Sequence, residues 1–174
     1  MSRIYRSSDL RTHRKSIAGQ VYTLRKRVSD TSRQIIDDPI VPLANFDKAH
    51  IIVGSLRWSH EVGRAKCLAY VVMPDHFHWM FQLGRECELS DVVGSVAKYT
   101  ALRIDELMGW TAPFWQNGYH EHAHRTAETT QRHLRYLDNP VRAGFVERAE
   151  DWPYCETHPD WSMDRWEQSP TANE

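Results

Sequence analysis

Two runs of eight residues, Lys66 to Met73 (KCLAYVVM) and His76 to Leu83 (HFHWMFQL), are separated only by Pro74-Asp75. Both runs are rich in β-branched and aromatic residues, and Pro-Asp is a turn signal. Together they predict an antiparallel hairpin around which the rest of the fold must be arranged. Gly19-Gln20 opens a further β-type stretch near 20 to 27. A polar loop over 28 to 42 follows. From Asn45 to about His60, Phe46, Ala49, Ile52, Val53 and Leu56 recur at helical spacing. Ser90 is placed to cap a helix over 91 to 108, which Gly109 ends. Residues 113 to 124 alternate as a strand around a Gly118 turn. Thr126 is placed to cap a last helix to Asp138, which Asn139-Pro140 stops. Residues 141 to 155 read as irregular, with Trp152-Pro153 docking on the body. The order is therefore β-α-β-β-α-β plus a C-terminal helix. This is an α+β, ferredoxin-like antiparallel sheet whose open face commonly serves nucleic acids.

A chain of 174 residues is one domain's worth, and its 41% hydrophobic and 26% charged residues are those of a globular protein. No apolar run reaches the ~18 residues of a membrane span, and no secretory signal stands at the start. Three cysteines, Cys67, Cys87 and Cys155, exclude a disulfide framework and a four-thiolate zinc site, and fit a reducing cytoplasm. The net charge of -1 conceals an asymmetry. Residues 1–27 carry a net +7, and residues 146–174 a net -6. A basic arm ahead of a near-neutral body suits phosphate contacts, or is simply a solvated end. The acidic end reads as a solubilising tail. The expected division is a domain over 1–155, of which 1–18 is the arm, and a tail over 156–174.

Three sets of residues could carry chemistry. His76 and His78, two apart on a strand, share a face and could together bind a divalent cation, or be two half-exposed strand histidines. On the last helix Thr130, Leu134 and Leu137 form an inward stripe. His133, Tyr136 and Asn139 share a neighbouring stripe, where the Asn139 amide oxygen could supply a third metal ligand. His120, His122 and His124 alternate along the fourth strand. They read as a surface row near the nucleic-acid path in preference to a zinc site. Phosphate-binding loops, dinucleotide-binding glycine motifs and nucleophile elbows are absent from the sequence.

AYVVMPDHFHWMFQL at 69–83, FWQNGYHEHAHR at 114–125 and YLDNPVRAGFVERAEDWPY at 136–154 together closely resemble the REP-associated tyrosine transposases. These are single-tyrosine transposases of the class named for a His-hydrophobic-His motif. GQVYTLRKRV at 19–28 resembles their first strand and SDVVGSVAKYTALRI at 90–104 their long helix, so the match runs in order over about residues 10 to 155. The resemblance implies a metal-dependent enzyme that cuts and rejoins single-stranded DNA beside palindromic hairpins through a 5′-phosphotyrosine. Tyr136 would be the nucleophile, and His76, His78 and Asn139 would hold Mg²⁺ or Mn²⁺. His133, one turn before Tyr136, could move the proton. A groove for the single strand would draw on Arg11, Arg14, Lys15, Lys98 and Arg103, with His122 beside it, although Lys98 and Arg103 read equally as an ordinary solvated helix face. The same resemblance implies a bacterial, nucleoid-associated location. With no long apolar stripe left over for a dimer seam, a monomer is expected in preference to a dimer. In one respect the chain departs from the family. Three residues commonly separate the tyrosine from the asparagine, and here only Leu137 and Asp138 do. A hairpin-binding protein without cleavage is the alternative that this departure favours. A zinc protein built on residues 120–124 is a third reading.

Overall fold

The computed structural model describes residues 16–30, 43, 45–109 and 113–157. The expected hairpin is present. β2 (Ala65–Val72) and β3 (His76–Leu83) pair antiparallel, from Ala65 opposite Leu83 to Val72 opposite Phe77. β1 (Val21–Arg27) pairs antiparallel with β3 on one side and with β4 (His120–His124) on the other. The sheet order is β4-β1-β3-β2-β5, and its first four strands have the interleaved ferredoxin-like arrangement the element order implied. α1 (Phe46–Glu61) links β1 to β2, and α2 (Leu89–Met108) links β3 to β4.

Strand alternation divides the side chains into two layers. Tyr22 and Leu24 of β1 and Phe77, Trp79, Phe81 and Leu83 of β3 join Ile52 and Leu56 of α1 and Val92, Val96 and Ile104 of α2 in the main core. The opposite face carries a smaller cluster, Val21, Leu68, Ala69 and Met80, against which Leu134 and Leu137 pack. His76 and His78 alternate with Phe77 and Trp79, so they fall on that second face.

Several expectations are corrected. α2 begins at Leu89 instead of 91. Ser90 is not its cap; the cap residue is Glu88, without a side-chain bond, and the Leu89 N–H is met by Ser16 Oγ at 2.8 Å. Gly109 ends the helix at φ 64°, a left-handed conformation that glycine adopts without a Cβ clash. Asn45 caps α1 by accepting from Lys48 N at 3.0 Å, but Phe46, placed in the apolar stripe, is 67% exposed. Residues 113–119 are not strand apart from an isolated bridge between Trp115 and Val28. Helical winding does not stop at Asn139-Pro140. α3 (Ala127–Leu134) passes into a 3-10 turn (Arg135–Asp138) and then into α4 (Asn139–Arg142), with Pro140 in the first turn where its missing N–H costs nothing.

The stretch read as irregular ends in a strand, β5 (Cys155–Thr157), paired with the free edge of β2. Glu156 fastens it, accepting from the Tyr70 hydroxyl and the Arg57 guanidinium at 2.7 Å each. Trp152 docks as expected, its Nε1 donating to Val72 O at 2.9 Å. All three cysteines are free thiols. Among the described residues no helix is long and apolar enough to cross a membrane. The basic arm, with Arg11, Arg14 and Lys15, and most of the acidic tail lie outside the described residues.

Candidate active site

The site is built on the second face of the sheet, where β3, β1, β4 and the α3–α4 segment meet. β3 presents His76 and His78 side by side, their ring centroids 5.0 Å apart and nearly perpendicular. His76 opens the strand and its side chain remains 22% exposed; Nδ1 lies 2.7 Å from Asp75 Oδ1. His78 is buried, and its Nδ1 has no hydrogen-bond partner among the described residues. Burial above all, then the neighbouring His76, Arg25 and His133, pushes the His78 imidazole down to about 3. It is therefore neutral across the physiological range, as a metal ligand must be.

Tyr136 lies over this pair. Its ring stacks on His78 with centroids 4.2 Å apart and planes 7° from parallel. Thr126 starts the segment that carries it, accepting from Thr129 N at 3.2 Å. Thr130, fully buried, and Leu134 and Leu137, against the small cluster, form the inward stripe the spacing predicted. The winding of the segment bears on the short Tyr-to-Asn spacing. In an α-helix residues three apart are offset by about 60°. A 3-10 turn has about three residues per turn, so they lie nearly in line. Tyr136 sits in such a turn, which closes with Asn139 N donating to Tyr136 O. Residues 136 and 139 therefore share one side of the segment more closely than α-helical winding would place them. Asn139 is half-buried at the start of α4.

His133 stands between Tyr136 and β4. Its ring meets that of Tyr136 edge-on at 5.3 Å, stacks on His122 at 4.4 Å and meets His124 edge-on at 4.6 Å. Burial, followed by His122 and Arg132, lowers its pKa. The β4 histidines are not a uniform surface row. His120 and His122 are exposed, whereas His124 is fully buried with Nε2 2.6 Å from Thr23 Oγ1. Among the described residues no group of three His, Cys, Asp or Glu side chains is arranged to hold a metal ion.

Lys98 and Arg103 are exposed on α2, in the layer covering the other face, and Arg103 pairs with Glu106 at 2.6 Å. The structure does not bring them to the histidines. Arg25 and Arg27, which entered above only as part of the basic N-terminal charge, do reach this face. They lie opposite His78 and His76 in the β1–β3 register, and Arg27 Nε is 3.4 Å from Asp75 Oδ2. Alternation of Thr23, Arg25 and Arg27 along β1 was the available signal. Lys26, between them, turns the other way and donates to Gln116 O and Gly118 O at 2.6 Å each.

The chain that carries this histidine pair and tyrosine turn is similar to known sequences. Residues 56–140 match the family model described as IS200-like transposase. More narrowly, the chain is similar to REP-associated tyrosine transposases, the family its motifs resemble. It is 31% identical over 93 residues to the REP-associated tyrosine transposase of Escherichia coli (strain K12), covering 53% of this chain and 54% of that protein. A second curated relative, from Haemophilus influenzae, is 29% identical over 104 residues, covering 53% of this chain and 59% of its own length. The chain thus spans little more than half the length of the curated relatives it matches. A solved REP-associated tyrosine transposase bound to a REP hairpin superposes over 94% of this chain and 90% of its own, with a TM-score of 0.66 and 22% identity. That likeness is one of fold.

Proposed function

We propose that this protein cuts and rejoins single-stranded DNA beside palindromic hairpins, with Tyr136 as the nucleophile. The observation that carries the reading is the stack of Tyr136 on His78, with His76 beside it on the same strand. The hairpin bound by the solved relative supports the choice of substrate.

In this reading the Tyr136 hydroxyl oxygen attacks the scissile phosphorus, the bond to the 3′ oxygen breaks, and a 5′-phosphotyrosine and a free 3′-hydroxyl result. A returning 3′-hydroxyl reverses the step and rejoins strands without a nucleotide cofactor. A free phenol titrates near ~10, so attack at neutral pH needs a proton acceptor. His133, edge-on to the Tyr136 ring and biased towards its neutral form, takes that role. The donor set fits a divalent cation. His78 is neutral with a buried, unpartnered ring nitrogen, and the Asp75 contact at His76 Nδ1 leaves Nε2 available. His76 and His78 would hold Mg²⁺ or Mn²⁺, with oxygens of Asn139, phosphate and water filling the other positions. When bound, the ion offsets the phosphate charge and polarises its oxygens. Arg25, exposed on the same face, is placed to meet a phosphate; His122 flanks the path.

Incubating the protein with labelled hairpin-bearing single strands and Mn²⁺, followed by a denaturing gel, tests the reading. A covalent adduct is expected from the wild type, abolished by EDTA and absent in Tyr136→Phe and His76→Ala. Adducts from Tyr136→Phe would remove Tyr136 as the nucleophile. Tight binding without any adduct from the wild type would favour a hairpin-binding protein that does not cut.

A further inference from the structure

The two histidines of the pair are held in different ways. His78 is enclosed by the sheet and the Tyr136 ring, so packing fixes its plane. His76 is at the end of the strand and more open. What holds it is Asp75. One carboxylate oxygen lies 2.7 Å from His76 Nδ1, and the other lies 3.4 Å from Arg27 Nε. The backbone beneath is pinned as well. Val28 N donates to Asp75 O at 2.8 Å, and Met73 N donates to His76 O at 2.8 Å. A carboxylate held at both ends in this way has little freedom to rotate away from the ring.

We infer that Asp75, braced by Arg27, is a positioning residue that fixes the His76 imidazole with its proton on Nδ1 and its lone pair on Nε2, directed away from the carboxylate. A neutral imidazole binds a cation only through the nitrogen without the proton, and an acidic partner on the other nitrogen selects the tautomer and makes the ligand more basic. The bland alternative is that Asp75 only shapes the Pro74-Asp75 turn and makes a half-exposed ion pair with Arg27, a contact of little consequence for stability. The inference rests on the reading that His76 and His78 hold a divalent ion, and its test separates the two.

Two measurements on the full chain without DNA decide it. In the first, Mn²⁺ alone is titrated into the wild type, Asp75→Asn, Asp75→Ala and Arg27→Gln near neutral pH, with free Mn²⁺ read by electron paramagnetic resonance. Asp75→Ala is expected to weaken binding about 10- to 100-fold, the usual cost of losing such a partner. Asp75→Asn, whose amide oxygen still accepts from Nδ1 but carries no charge, is expected to fall between, and Arg27→Gln to lose less than Asp75→Ala. In the second, a long-range proton–nitrogen correlation spectrum of the metal-free protein reads the His76 tautomer directly. The Nδ1-protonated form is expected in the wild type, and a shift towards the Nε2-protonated form in Asp75→Ala. Wild-type Mn²⁺ affinity in Asp75→Ala, or in Asp75→Asn should the alanine variant fail to fold, overturns the inference and leaves the metal reading standing. A wild type that binds no Mn²⁺ defeats the metal reading and the inference with it. A His76 already protonated on Nε2 in the wild type defeats the inference alone.

Discussion

His124 shows how one residue type takes opposite roles on a single strand. It alternates with His120 and His122, yet it is fully buried against Thr23, while they are exposed. Burial, then His133 and His122, pushes its pKa down to about 3, against roughly 6.5 for the unfolded chain. The folded state resists the proton. The stability His124 contributes is therefore complete above about pH 6.5 and is lost as the pH falls from there towards about 3. Over that window one such group steepens the fall by up to ~1.4 kcal/mol per pH unit. His124→Gln is expected to melt lower near neutral pH but to lose less on acidification, measured as melting temperature against pH for both proteins. Parallel curves would show that His124 takes no part in acid unfolding. The sequence told which histidines share a face, because strand alternation is local. It did not tell which of them the tyrosine segment covers. That depends on α3 crossing β4, a contact between parts of the chain that spacing alone does not place.

At the scale of the element, the segment after β4 matters most. α3 is only eight residues long, a length at which an isolated helix is marginal, so its cap and its packing keep it formed. Thr126→Ala removes the bond to Thr129 N and is expected to cost about 1 kcal/mol, with Thr126→Ser recovering most of it. Urea unfolding of the three proteins checks this. The cap and the inward stripe could be read from the residues. The change from α to 3-10 winding at Arg135 could not, because Arg-Tyr-Leu-Asp is compatible with either. The extended strand β5 was likewise invisible. Cys-Glu-Thr is too short to show alternation, and it becomes a strand because β2 offers an unpaired edge and because Arg57 and Tyr70 meet Glu156 there.

Across the whole molecule the sheet separates the main core from the candidate site. Its first face, with α1 and α2, carries the main core, and its second face carries the histidines and the tyrosine. Ile104→Ala, on the fully buried side of α2, is expected to cost roughly 2–5 kcal/mol and to leave the Mn²⁺ affinity of the folded protein unchanged. Denaturant unfolding and a Mn²⁺ titration on the same sample check both halves. A matched loss of affinity would mean that the two layers are coupled. The sequence by itself determined the element order as far as the tyrosine segment, the hairpin and its turn, the pairing of His76 with His78 on one face, and the inward stripe of that segment. All of these depend on period and on turn chemistry within a few residues. Only the tertiary structure decided that Tyr136 stacks on His78, that Lys98 and Arg103 lie on the far layer while Arg25 and Arg27 reach the site, and that Asp75 grips His76. Those relations join strands and helices distant in the chain, and they are set by which faces the sheet buries, a property of the assembled layers.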